Sequence, residues 1–140
     1  MVFHRLDRYR DTGLLILRIG IGVMFVLHGF PKLRAGPETW VKLGGALSAV
    51  GVNLAPAFMG FMAAISEFGG GILLILGLFT RPACFFLLVT MIVATMMHLK
   101  NGDSFVKYSH ALEAGVLFFS LLFIGPGRFS LDEKLSQKVK

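Results

Sequence analysis

An all-α membrane protein, with four transmembrane helices in one up-down-up-down bundle, is the fold class this sequence predicts, and three observations predict it. Of the 140 residues 55% are hydrophobic, with 14 Phe and 7 Met, and only 16% are charged, a composition too apolar for a soluble domain. The apolar residues collect in four runs, each close to the roughly 20 residues that cross about 30 Å of hydrocarbon. Most basic residues sit at the ends of those runs, where they meet water and headgroups. Four spans with short connections use nearly the whole chain, so residues 1–140 form a single transmembrane domain with no space beside it for a soluble catalytic domain.

The first span covers about residues 12–31. Arg5, Arg8 and Arg10 precede it as in a signal peptide, but the run is long, contains Arg18 and has no small-residue cleavage site before Pro31 and Lys32, so it reads as a retained helix. The connection that follows is the longest. Within it Trp40, Leu43 and Leu47 fall at helical spacing, which predicts a short interfacial helix, an irregular loop being the alternative. The second span covers about 57–79 and is interrupted only by Ser66 and Glu67. The third, about 82–98, opens on Pro82, whose missing N–H is harmless in a first helical turn. The fourth, about 108–125, is stopped by Gly125-Pro126-Gly127. Gly20, Gly22 and Gly29, the Gly69-Gly70-Gly71 run, and Ala111 with Gly115 are the small residues expected to let backbones approach, since lipid gives apolar side chains no preference for each other.

The formal charge of +6 is compatible with nucleic acid, but the cations form no aromatic-interleaved stripe, so the partner implied is the bilayer and no nucleic acid. With the N-terminus inside, Arg5, Arg8, Arg10, Arg81, Arg128, Lys134, Lys138 and Lys140 lie on the cytoplasmic side and Lys32, Arg34, Lys42, Lys100 and Lys107 on the outer side. That bias places both termini in the cytoplasm, and Trp40 and Tyr108 in the outer aromatic belt. Cys84 is the single cysteine, which excludes an internal disulfide and a CxxC redox motif. It reads as a packed small hydrophobe.

Ionisable side chains within a span cost about 2.5–3.5 kcal/mol on insertion scales and mark candidate function. Here they are Arg18, His28, Glu67, His98, His110 and Glu113. Depth along the helices brings Arg18 and Glu67 within reach on neighbouring antiparallel spans, so an inner Arg18–Glu67 ion pair is expected, either as bundle register or as part of a site. His28, Lys32, His98, His110 and Glu113 collect at the outer side. His110 and Glu113 share a helix face and suit one metal ion, with His98 or His28 completing the shell, although any H-x-x-E on a helix matches that spacing. The same groups suit a quinone-like amphiphile entering from the membrane, with histidine, which titrates between about pH 5 and 8, passing protons. Phe25, Phe68, Phe118 and Phe119 are available to stack on a ring or simply to pack the bundle.

Leu17-Arg18-Ile19-Gly20 followed by Phe25-x-x-His28-Gly29-x-x-Lys32-Leu33 resembles the opening of the DoxX family of small four-helix bacterial membrane proteins. Glu67-x-Gly69-Gly70-Gly71 with Leu76-Gly77-Leu78-Phe79-Thr80-Arg81 resembles that family's second helix and turn, and Gly125-Pro126-Gly127-Arg128-Phe129-Ser130-Leu131-Asp132 its closing signature. The resemblance covers about residues 14–132 and marks Arg18, His28, Lys32, Glu67, Arg81 and Arg128 as the positions matching its polar pattern. It implies the bacterial cytoplasmic membrane, and, because relatives include the membrane subunit of thiosulfate:quinone oxidoreductase, a quinone-linked or redox-accessory role. Flavin, haem and iron–sulfur motifs are absent from the sequence, so electrons would come from a soluble oxidoreductase partner. The rival expectations are a non-catalytic anchor for soluble oxidoreductases and a small-solute transporter, which with four spans would need a homo-oligomer.

Overall fold

The computed structural model describes residues 4–139, so Lys140 lies outside the described residues. Four long helices carry the architecture: α1 (Arg10–Arg34), α3 (Pro56–Leu76), α4 (Thr80–Lys100) and α5 (Phe105–Ile124). All four are long and apolar enough to cross a membrane. A short α2 (Pro37–Gly45) follows α1, and α6 (Leu131–Val139) closes the chain; 3-10 turns span His4–Tyr9 and Ala46–Val50. No strand occurs among the described residues.

Breakers set the boundaries. Gly36 has φ of +82° immediately before Pro37, which opens α2; Pro56 opens α3; Gly77, at φ +64°, ends it. The exposed positions are apolar: Ile16 is 67% exposed and Phe123 71%, while Arg18 is fully buried. Such an inverted distribution belongs to a chain whose solvent is hydrocarbon.

The spans follow one another around the bundle, α1 against α3, α3 against α4, and α4 against α5. The α1–α3 contact is close because it is made by backbone. A Cβ placed on Gly22 would stand 2.7 Å from the Gly71 carbonyl oxygen, and one on Gly29 would strike the Phe68 backbone. Gly70 faces Leu87 of α4. Gly20 and Gly69, expected among the contact residues, face open space. The return from α5 to α1 is made by long side chains, with the Phe25 and Phe118 rings edge to face at 4.8 Å. Phe25, Leu74, Cys84, Leu87, Met91 and Phe118 belong to the buried core, so Cys84 packs as a small apolar group.

The helix expected between the first two spans is present as α2. Trp40 lies against Gly60 and Gly44 against Pro56, in reverse order, so α2 runs antiparallel along the first turn of α3. The Trp40 indole N–H donates to the Lys32 carbonyl at 3.0 Å, and its ring rests on Phe61. The turn Ala46–Val50 then reaches α4, where Lys100 donates to the Ser48 carbonyl.

Both described ends of the chain lie at one end of the bundle, here the terminal end; α2 and the α4–α5 connection lie at the other, the far end. Asp132 links the terminal end together: its N–H donates to the Gly77 carbonyl, and its carboxylate accepts the N–H groups of Phe79 at 2.7 Å and Thr80 at 2.9 Å. Those are orphan donors of α4's first turn.

Candidate functional site

Arg18 and Glu67 do not pair. The Arg18 guanidinium donates to the carbonyls of Leu74, at 3.1 Å, and of Phe129. It therefore lies level with the last turn of α3, where the Leu74 carbonyl also accepts the Gly77 N–H at 3.1 Å, and Glu67 is seven residues, or about 10 Å, further up that helix. Arg18 joins α1, the end of α3 and the segment after α5, with the charge of Asp132 acting on it. Gly77 leaves the space: a Cβ there would collide with the guanidinium.

Glu67 instead pairs with Lys32. The Lys32 ammonium lies 2.7 and 2.6 Å from the two carboxylate oxygens, and Glu67 is 4% exposed. The contact between Gly29 and Phe68 sets this register, because Lys32 is one turn beyond Gly29 and so presents the same helix face.

The far-end groups divide into two sets. His98 Nδ1 hydrogen-bonds Asp103 Oδ2 at 2.8 Å, and Lys107 donates to Asp103 Oδ1 at 2.7 Å, so these three groups join the end of α4 to the start of α5. The hydrogen bonds from Lys107 and then His98 hold the Asp103 carboxyl below the usual carboxylate range. Asp103 was absent from the candidate residues read from sequence, although it stands five residues after His98 and four before Lys107.

His28 and His110 form the second set. Their rings stack across the α1–α5 junction with centroids 5.6 Å apart and an interplanar angle of 28°. His28 Nδ1 lies 2.8 Å from the Met24 carbonyl oxygen. A carbonyl only accepts, so Nδ1 carries a proton and Nε2 is the nitrogen left for another partner. Phe25, one turn deeper, meets Phe118 and closes the bundle beneath the imidazoles. Both histidines are exposed, as is Glu113, one turn beyond His110 and about 12 Å along α5 from Phe105. Glu113 has no hydrogen bond or ion pair among the described residues.

The structure thus brings together two of the three imidazoles and places His98 elsewhere. Among the described residues no three His, Cys, Asp or Glu side chains gather as a metal-binding group, so the set of His98, His110 and Glu113 weighed for a metal ion is not assembled. On the other flank of α5, a groove of about 350 Å³ runs between α4 and α5, lined among others by Met91, Met96, Gly115 and Phe119. Its walls are apolar, sized for a hydrocarbon chain.

The chain is 36% identical over 141 residues to an uncharacterized protein of Haemophilus influenzae, covering 96% of this chain and 99% of that one. It is 28% identical over 138 residues to the inner membrane protein YqjF of Escherichia coli, covering 95% and 99%. A shorter match, 34% over 71 residues, covers 51% of this chain and 48% of the putative oxidoreductase CatD of Bacillus subtilis. The DoxX family model matches residues 13–99, the stretch that holds Arg18, the stacked His28 and the Lys32–Glu67 pair. With that match over more than half its length, the chain belongs to the DoxX family.

Proposed function

We propose that this protein is the membrane subunit of a redox system and takes the ring of a quinone-like amphiphile from the bilayer at the junction of α1 and α5. The observation that carries this reading is the His28–His110 stack, open to the bilayer side of the bundle, with the unpartnered Glu113 carboxyl one turn deeper. A quinone takes two electrons and two protons to become a quinol. The imidazoles supply a flat surface for the ring, and His28 Nε2 and His110 supply titratable nitrogens for its oxygens. Glu113 gives a third acid–base group on the same side. Electrons come from a soluble oxidoreductase partner, and the relative named as a putative oxidoreductase supports the redox role. The relative named as an inner membrane protein supports the same location here, and the bias of Lys and Arg toward the terminal end supports cytoplasmic termini.

The test is mass spectrometry of the protein purified in mild detergent, as wild type, His110→Ala and Glu113→Gln. The expected result is a stoichiometric quinone with the wild type and its loss from His110→Ala. If the wild type carries no quinone, or if both variants retain it fully, the reading fails and a non-catalytic anchor becomes the better account.

A further inference from the structure

The terminal end has a polar cleft of about 660 Å³ between the start of α1, the α3–α4 turn and the segment after α5. Arg10, Arg81 and Arg128 line it together. Carboxylates are near, yet each is already engaged. Asp11 Oδ1 accepts the Arg128 backbone N–H at 3.0 Å, Asp132 caps α4, and Glu133 Oε1 accepts from the Gln137 amide at 3.0 Å. The guanidiniums of Arg10 and Arg128 have no hydrogen bond or ion pair among the described residues. Arg81 is fixed by its Nε–H, which donates to the Leu122 carbonyl at 3.0 Å.

Asp11, Asp132 and Glu133 line the same cleft and offset its three positive charges, but none of them meets a guanidinium, so the forks of Arg10 and Arg128 are left without an acceptor. Nothing in the fold requires Arg10 or Arg128 to be there, because neither side chain holds another element in place. We propose that Arg10, Arg81 and Arg128 bind a phosphate group. Guanidinium forks match phosphate oxygens two at a time, and three forks around one cleft suit a tetrahedral anion better than a planar carboxylate. The cleft also has an apolar lip of Phe79, Pro82 and Ile124, with Phe79 61% exposed and Ile124 46%. A phospholipid headgroup placed among the arginines would lay its acyl chains over that lip, whereas free phosphate would use the arginines alone.

Native mass spectrometry of the full chain, released from micelles containing phosphatidylglycerol or phosphatidylcholine, tests the site, and titration with inorganic phosphate distinguishes the two sources. The variants are Arg10→Gln and Arg128→Gln, which break no side-chain hydrogen bond or ion pair among the described residues, with Lys138→Gln as a control for bulk charge. Selective retention of phosphatidylglycerol, weakened about tenfold in each arginine variant and unchanged in the control, supports a lipid phosphate. Saturable protection against thermal unfolding by inorganic phosphate, lost in the same variants, supports the free anion. Lipid retention that Arg10→Gln and Arg128→Gln both leave unchanged, with no response to phosphate, overturns the site, and so does a response that Lys138→Gln weakens as much as Arg128→Gln.

Discussion

Lys32 and Glu67 illustrate how a charge is kept inside a span. Glu67 has a side chain 5% exposed, while Lys32 keeps 34% of its own open and reaches down from the end of α1. Breaking a buried pair leaves an uncompensated charge, whereas replacing both partners by apolar groups is often neutral. Lys32→Met is therefore expected to destabilise the bundle by about 2–3 kcal/mol, near the low end for buried pairs because the ammonium is partly open. The double variant with Glu67→Leu should recover most of that loss. Unfolding in mixed detergent–SDS micelles measures both, and a double variant as unstable as Lys32→Met would refute the account. Glu67 stood out in the sequence as an ion within an apolar run, and Lys32 as a cation at the outer end of one. Their partnership did not, because depth along a helix is read from sequence but the register of one helix against another is not. That register depends on Gly29 meeting the Phe68 backbone. Arg18 was misassigned for a second reason: its partners are main-chain carbonyls, and every residue has one.

The four spanning helices were legible because hydropathy over about 20 residues is a strong signal. α1, α4 and the start of α5 extend two or three residues beyond the apolar runs, to Arg10, Arg34, Thr80, Lys100 and Phe105, whereas α3 stops at Leu76, three residues short of its run, where Gly77 turns left-handed. By contrast α6 is polar and gave no hydropathy signal. Its start was nevertheless written in Ser130-x-x-Glu133, a capping sequence, and the Ser130 hydroxyl accepts the Glu133 N–H at 3.1 Å. Between α4 and α5 the connection is held by charge. Asp103 titrates below its ordinary value of 3.8 because Lys107 and His98 hydrogen-bond its ionised form. A depressed carboxyl pKa adds stability above the unfolded value and loses it as pH falls through the folded one. The α4–α5 connection should accordingly loosen only below about pH 4, where the carboxyl gains a proton in the unfolded chain first. Hydrogen exchange of residues 98–107 across that range measures it. Asp103→Asn should give protection, taken relative to the exchange rate of an unstructured chain, that is lower at neutral pH and flat with acid, and wild-type protection that is equally flat would remove Asp103 from this role.

At the scale of the molecule the two ends are closed differently. The far end is covered by α2 and the turn after it, and the terminal end by the segment following α5, which reaches α1 through Asp11 and the α3–α4 turn through Asp132. The second connection holds a costly backbone conformation. Phe79 has φ of +46°, a left-handed geometry that costs a non-glycine residue about 1–3 kcal/mol, and its N–H is one of the two that Asp132 accepts. Asp132 also provides the carboxylate nearest in effect to the buried Arg18, so a single side chain steadies the start of α4, the strained turn and the guanidinium below it. Asp132→Ala removes all three at once. The expected cost is about 2 kcal/mol, the sum of a lost helix cap and a weakened charge interaction. Because the same change releases the closing segment, cleavage by added protease between Gly125 and Ser130 should quicken in detergent while the four spans remain intact. Asp132→Asn, which keeps one accepting oxygen, should fall between the two. If Asp132→Ala matches the wild type in both unfolding and cleavage, the closing segment is held by Arg18 and its carbonyl contacts without help from Asp132.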